Sequence, residues 1–363
     1  MGVSRIKASD WEKTVVRDTV SIREVASILN ETTLGIVLVQ GENRELLGVV
    51  VDGDIRRGLL TGIDLDSVVS LVMRPNPVIA RDGISNDEIE ILMRKEGVVQ
   101  IPVVNDANEL EGLVIRDWNR QPPIRSNLFL VMAGGLGERL RPLTEITPKP
   151  MLLVHGKPIL EHILQNAILE GFRNFVISTG YLGSVIKDYF GDGSQFGISI
   201  TYIEETKKLG TAGAISLLQS WPDDPIVITN GDILTNVRYA SMLDFHLEEN
   251  GVATMGTAIY ESKIEFGVVD VEGTVVQRIT EKPIMEFLIN AGVYVLSPAV
   301  RSFLTTNEYC DMPTLFTQLI SNGLRVVAFP FHESWSDIGT RSDLEKISRG
   351  LTNRTIGTKV QEL

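Results

Sequence analysis

The sequence predicts an α/β protein of two domains, and three observations predict it. The chain runs to 363 residues with 43% hydrophobic content, more than one ordinary domain and enough apolar material for real cores. Its first third matches itself at an offset of 64 residues. From Leu128 onward, short apolar runs of strand type alternate with segments whose apolar residues recur at helical spacing, the pattern of a sheet layered with helices.

The repeat comes first along the chain. Arg17-Asp18-Thr19-Val20-Ser21 falls on Arg81-Asp82-Gly83-Ile84-Ser85, and Val25, Ile28 and Leu29 fall on Ile89, Leu92 and Met93 at helical spacing. Val37, Val39, Gly48 and Val50 then fall on Ile101, Val103, Gly112 and Val114, short β-like runs around turn-forming residues. Each unit reads helix, strand, turn, strand, and two in tandem can bury a face that neither buries alone. With "GVVVDGDI" at residues 48–55 and the "IPVV" strand at 101–104, the pair resembles tandem CBS domains. That resemblance implies an adenine nucleotide bound between the repeats, with Asp54 at the ribose-binding position. Val51 stands where the family usually has Thr or Ser, and the second unit has Trp118 at the aligned position with Asp117 displaced by one. A packing or dimerisation module is the other reading of this region.

After Trp118, "NRQPPIRSN" carries Pro122-Pro123, which disfavours helix and favours an extended connector. The expected division is residues 1–120, a linker at 121–127, a second domain at 128–350 and a polar tail at 351–363. In the second domain the run Leu128 to Ala133 reads as a strand. A helix follows from Pro158, with Ile159, Leu160, Ile163, Leu164, Ala167 and Ile168 on one face and Gly171 past its end. Strands are expected at 175–178, 198–203 and 226–229, with a helix at 211–220 between the last two.

Charge and cysteine content narrow the function. A net charge of -13 argues against a broad nucleic-acid or anionic-membrane surface, because both need a positive face. The single Cys310 excludes an intrachain disulfide and suits a reducing compartment. No apolar run is long enough to span a bilayer, so the expectation is a cytoplasmic protein. The four histidines lack metal-ligand spacing and read as ordinary residues.

In this acidic chain one short stretch gathers cations. "GGLGERLRPLTEITPKPM" follows the first strand of the second domain, with Gly134, Gly135 and Gly137 in a turn and Arg139, Arg141 and Lys149 close behind. Glycines let backbone N–H groups approach phosphate oxygens, although a bare glycine loop can also be only a tight turn. It fits neither the dinucleotide fingerprint, which needs a glycine where Leu140 stands, nor the Walker A loop.

The stretch resembles the signature of sugar-1-phosphate nucleotidyltransferases, and five further motifs follow in that family's order. They are "LGTAG" (Gly210, Thr211, Gly213), "ITNGDIL" (Asp232), "EFGVVD" (Gly267), the sugar-facing "TEKP" and "NAGVYV" taken together as one (Glu281, Lys282, Asn290, Gly292), and "WSDIGT" (Asp337). The resemblance implies a Rossmann-like, GT-A-like mixed sheet with helices on both faces. It implies that Arg139 and Lys149 serve the transferred phosphates and that Asp232 and Asp337 hold Mg²⁺. It further implies that the three glycines of the loop, with Gly210, Thr211 and Gly213, meet the nucleotide, and that Gly267, Glu281, Lys282, Asn290 and Gly292 meet the sugar phosphate. "TPKPM" is more like the guanylyl and cytidylyl branches than the thymidylyl enzymes, and the expected enzyme is similar to mannose-1-phosphate guanylyltransferases. It would use GTP and a mannose-, glucosamine- or heptose-1-phosphate in a homo-oligomer making nucleotide sugars for bacterial surface glycans or nonulosonic acids. Glu138 replaces the family's usual Thr or Ser, which keeps a non-catalytic nucleotide-sugar sensor as the alternative from another class, beside cytidylyl, uridylyl or thymidylyl transfer.

Overall fold

The computed structural model describes residues 3–32, 34–116 and 123–348. Asp117, Trp118, the first residues of the expected linker and the tail 351–363 lie outside the described residues. The chain divides into two compact units, one ending at Pro122 and the other beginning at Pro123.

The smaller unit keeps the offset of the repeat. Helix Ile22–Thr32 returns as Asn86–Glu96, and strand Leu46–Val50 as one that starts at Leu110. The helix starts are encoded alike: the Glu24 N–H donates to Ser21 Oγ at 3.2 Å, and the Glu88 N–H to Ser85 Oγ at 3.3 Å. In the second repeat Glu88 reaches back to the Ser85 N–H at 3.0 Å, which completes a capping box. Each repeat contributes strands to its own four-stranded sheet. The two share one core, in which Leu38, Leu46 and Val49 meet Val104, Leu110, Leu113 and Ile115. The equivalent residues Glu45 and Glu109 pair with each other in an isolated antiparallel bridge.

The larger unit is a seven-stranded mixed sheet. Its elements are β1 (Arg125–Ala133), α1 (Ile159–Leu169), β2 (Phe172–Thr179), α2 (Gly183–Phe190), β3 (Ser199–Glu204), α3 (Gly210–Gly213), β4 (Ile226–Asn230), β5 (Ile233–Thr235) and α4 (Tyr239–Glu248). There follow β6 (Ala253–Lys263), β7 (Val268–Glu272), β8 (Val275–Thr280), β9 (Ile284–Leu296), α5 (Met312–Ser321), β10 (Val326–Phe331), β11 (Trp335–Asp337) and α6 (Arg341–Ser348). The strand order is β3-β2-β1-β4-β9-β6-β10. The first four run parallel and β9 runs antiparallel to both its neighbours. Central β1 is apolar throughout its second half because both faces are covered: Phe129 and Val131 join one core and Leu130 the other.

α1 starts after Pro158 and stops before Gly171, whose φ of 97° suits glycine. The expected helix at 211–220 is shorter. α3 is one turn, followed by a 3-10 turn at Ala214–Leu217. Its glycines make room for the protein's own chain. A Cβ on Gly210 would lie 2.5 Å from the Cys310 carbonyl oxygen, and one on Gly213 would lie 2.6 Å from that of Glu308. The Thr211 hydroxyl accepts the Met312 N–H at 2.8 Å and so fixes the start of α5. His246 is a buried structural histidine, with its nitrogens 2.8 Å from Thr254 Oγ1 and 2.8 Å from Ser297 Oγ, and burial pulls it down to about 4.

Two expectations follow. Gly213→Ala should cost about 1–3 kcal/mol of stability without any ligand present, because its methyl meets backbone; an unchanged denaturation midpoint would refute the packing role. Glu170 accepts the N–H groups of Tyr239 and Ala240 at 3.2 and 2.7 Å, yet burial pushes its carboxyl up to about 7. The folded state then holds a proton that the unfolded state has released, so stability falls as pH rises from about 4.5 to 7. Glu170→Gln should flatten that fall, read as thermal midpoints of both proteins across the range.

Candidate active site

The parallel strands β2 and β4 flank β1, so the chain leaves β1 and β4 at a topological switch point, where open α/β sheets form a crevice at their carboxyl ends. A cleft of about 700 Å³ lies there. It is lined by residues 132–140, by Lys149 and Pro150, by Gly180 and Tyr181 after β2, by Glu205 to Lys208 and Gly210-Thr211 after β3, by Asn230 at the end of β4 with Gly231 and Asp232 after it, and by Gly339.

The loop after β1 is held open by its glycines. Gly137 has φ 63°, and a Cβ there would stand 3.0 Å from Thr144 and 3.2 Å from the Lys149 Cβ. The buried Thr144 hydroxyl donates to the Gly137 carbonyl at 2.8 Å and ties the turn down. Nothing lies within 4 Å of the space a Cβ on Gly135 would take, so its backbone faces open cleft.

The charged centre is built by strand pairing. β5 and β11 run antiparallel with Ile233 opposite Asp337, and the Ile338 N–H donates to the Asp232 carbonyl at 3.1 Å. Two aspartates more than a hundred residues apart in sequence therefore stand beside one ammonium. Lys149 Nζ donates to Asp232 Oδ2 and lies 3.9 Å from Asp337 Oδ1. Burial pushes the Asp337 carboxyl above the usual carboxylate range; the charge of Asp232 adds to the rise, and Lys149 and Arg139 oppose it. Arg139 follows the glycine turn, with a guanidinium nitrogen 3.6 Å from where a Gly339 Cβ would be. Close by, Asn230 Oδ1 is buried and has no hydrogen-bond partner among the described residues. Two carboxylates and a carboxamide oxygen are hard oxygen donors, and this set fits a divalent cation such as Mg²⁺.

The cleft thus gathers Gly134, Gly135, Gly137, Arg139, Lys149, Gly210, Thr211 and Asp232, with Asp337 paired alongside. Glu138 also lines it, whereas Arg141 and Gly213 do not. Asn290 and Gly292 lie on β9, and the Asn290 Oδ1 accepts the Gly292 N–H at 3.0 Å. A Cβ on Gly292 would stand 2.7 Å from Asn230 Nδ2, so this glycine seats the orphan carboxamide. Gly267 precedes β7 and Glu281-Lys282 follows β8, outside the cleft lining. A Cβ on Gly267 would lie 2.9 Å from a Glu281 carboxylate oxygen.

Sequence reading missed Asn230 and Glu205. A polar residue ending an apolar strand directly before Gly-Asp was a signal for the first. Glu205 had none, since its carboxylate becomes part of the site only by folding against the loop. The Ser178 hydroxyl donates to it, and a Cβ on Gly134 would strike it at 2.3 Å.

In the smaller unit, Asp54 is buried and its carboxylate is already engaged. Oδ2 accepts the Val51 N–H at 2.9 Å, and Oδ1 accepts from Arg57 and Arg74 at 2.6 Å each. A ribose would have to compete with two guanidinium groups for it.

Comparison with known proteins assigns a family to each part of the chain. A family model described as nucleotidyl transferase matches residues 128–354, and one described as CBS domain matches residues 11–61 and 68–117. The chain is 31% identical over 248 residues to UTP--glucose-1-phosphate uridylyltransferase of Synechocystis sp., covering 62% of this chain and 64% of that protein. It is 33% identical over 229 residues to mannose-1-phosphate guanylyltransferase of Mycobacterium tuberculosis, covering 61% and 64%. It therefore spans a little under two thirds of the length of these curated relatives. The crystal structure of HddC from Yersinia pseudotuberculosis shares the fold at 23% identity, with a TM-score of 0.50 over 62% of this chain and all of that one. With 227 residues under one family model and the repeat under the other, the chain belongs to the nucleotidyl transferase family and carries a pair of CBS domains ahead of that domain.

Proposed function

We propose that the protein transfers a nucleotidyl group, GMP from GTP, to the phosphate of a sugar 1-phosphate. The observation that carries this reading is the convergence of Arg139, Lys149, Asp232 and Asp337 beside an open glycine loop at the switch point of the sheet. A sugar phosphate oxygen attacks the α-phosphorus, the bond from that phosphorus to the bridging oxygen breaks, and pyrophosphate leaves with the electron pair. A phosphate monoester is mostly dianionic at neutral pH, its second pKa being about 6, so no general base is needed. What is needed is fixed positive charge and positioning.

Arg139 presents a fork to the β- and γ-phosphates and to the departing pyrophosphate. Lys149, held in place by the two aspartates, serves the α-phosphate and the incoming sugar phosphate. Asp232 and Asp337, with Asn230 beside them, would hold Mg²⁺, which supplies positive charge at phosphoryl oxygens when bound. Glu281 and Lys282 take the sugar hydroxyls and phosphate, with Gly267 beside Glu281, and Asn290 and Gly292 serve the same substrate from β9 next to Asn230.

Glu205 supports guanine. Strands lie about 4.8 Å apart, so the ends of β3 and β4 are separated by three spacings, roughly 14 Å, the scale of an extended nucleotide. With the phosphates placed at the β4 end by Arg139 and Lys149, the base falls at the β3 end, where Glu205 offers acceptors only, with Lys207 and Lys208 lining the cleft beside it. Guanine alone among the common bases presents two adjacent donors, N1–H and N2–H, to such a fork. The guanylyltransferase name of the Mycobacterium tuberculosis relative points the same way. In the CBS pair we place an adenine nucleotide, with the half-exposed Arg57 and Arg74 offered to its phosphates. A ligand there regulates only if it binds one state of the protein more tightly than another.

Pyrophosphate release with Mg²⁺, across five nucleoside triphosphates and a panel of sugar 1-phosphates, tests the reading; one productive pair containing GTP is expected. Arg139→Ala and Asp232→Asn should each lower kcat by about 100-fold or more, and near-normal turnover in either refutes its role. Glu205→Gln should lower kcat/KM for GTP relative to UTP by about tenfold or more. An unchanged ratio would remove Glu205 from base selection.

A further inference from the structure

The segment that carries Arg139 and Lys149 has an outer half that lies on the surface. Leu140 and Thr144 are buried, whereas Arg141, Leu143, Glu145 and Ile146 are exposed, Ile146 by 81%. Its own hydrogen bonds are local: the Leu143 N–H donates to the Leu140 carbonyl at 3.0 Å, the Glu145 N–H to that of Pro142 at 3.1 Å, and the Thr144 hydroxyl to that of Gly137 at 2.8 Å. Such bonds fold the loop on itself and do not fix where it stands over the cleft. Among the described residues, one hydrogen bond reaches residues 138–147 from outside the segment 134–151. The Tyr181 hydroxyl donates to the Glu145 carbonyl at 2.9 Å.

The turn between β2 and α2 is shaped to present that hydroxyl. A Cβ on Gly180 would lie 2.7 Å from the Gly134 carbonyl oxygen, so the turn abuts the first residue of the glycine loop. Leu182 takes φ 54°, left-handed backbone that a leucine adopts at a cost, with the Gly183 N–H on the Gly180 carbonyl and the Val185 N–H on the Leu182 carbonyl, 3.1 Å each. Residues held in that region gather at functional sites, where their surroundings over-determine them. Tyr181 also lines the cleft, so one side chain meets both the loop and the space between its cations and Glu205.

We propose that Tyr181 is a positioning residue for nucleotidyl transfer, a strut that sets the glycine loop and the stretch after it over the cleft. Gly180 seats the start of the loop at Gly134, and the Tyr181 hydroxyl holds Glu145, which lies between Arg139 and Lys149 along the chain. Lys149 has its own anchor in Asp232 and Asp337, whereas the exposed Arg139 depends on the backbone that carries it. Losing the strut therefore spoils the aim of Arg139 at the departing pyrophosphate more than it weakens ground-state binding. The effect on turnover rests on the proposed function; the holding of the loop does not.

Tyr181→Phe removes one oxygen and keeps the ring, which leaves the fold and the cleft wall in place. Hydrogen exchange across residues 138–148 of the full-length chain, measured without ligand, should quicken by about threefold to tenfold, the weight of one hydrogen bond. Unchanged exchange overturns the strut. In pyrophosphate release the same variant should lose kcat by about that factor, while KM for either substrate and the preference for GTP over UTP stay within about twofold. A raised KM or a shifted base preference with kcat kept overturns the positioning role and makes the ring a nucleotide contact instead. Glu145→Ala should match the wild type in exchange and in turnover, because the acceptor is the backbone carbonyl; a loss equal to that of Tyr181→Phe overturns the assignment to this bond. Faster exchange in Tyr181→Phe with no pyrophosphate release by the wild type overturns the enzymatic reading and leaves the strut standing.

Discussion

The site depends on one short antiparallel pairing. Because Ile233 lies opposite Asp337 and the Ile338 N–H binds the Asp232 carbonyl, two carboxylates are forced beside each other at the edge of a cleft. Like charges so placed repel, and the arrangement holds because Lys149 stands between them. Lys149 is in turn positioned by the loop that Gly137 and Thr144 close. The glycine loop, a lysine and two distant aspartates thus form one electrostatic unit at the cleft. The orphaned Asn230 oxygen next to it is a buried polar group with an unmade bond, a cost that a functional site tolerates and a core seldom does.

The glycines divide by what the missing Cβ would meet. At Gly135 it would meet nothing, which leaves the backbone to a ligand. At Gly210 and Gly213 it would meet the carbonyls of Cys310 and Glu308, so the same residue type serves packing there and seats α5 against α3. Spacing along the chain does not separate these uses. Asp54 carries a similar lesson. In sequence it is a ligand position of the CBS pattern, while in the fold it caps a helix start and binds two arginines, which makes any nucleotide there compete with charge-assisted hydrogen bonds.

Much was legible before folding. Periodicity marked α1 and the central strands, and the offset of 64 residues carried through to helix Ile22–Thr32 and its counterpart Asn86–Glu96. The helix expected at 211–220 is cut to one turn and a 3-10 turn where the Ala212 and Gly213 N–H groups bond the Cys310 carbonyl, a contact no local pattern records.

The sequence by itself determined the two kinds of domain, the strand and helix order around β1, and the stock of groups able to manage phosphate, since these follow from periodicity, turn chemistry and charge. Only the tertiary structure decided which of those groups meet. Asp337 reaches Asp232 through strand pairing and Glu205 enters the cleft across β2, because long-range contacts are fixed by how the sheet closes and local pattern does not encode them.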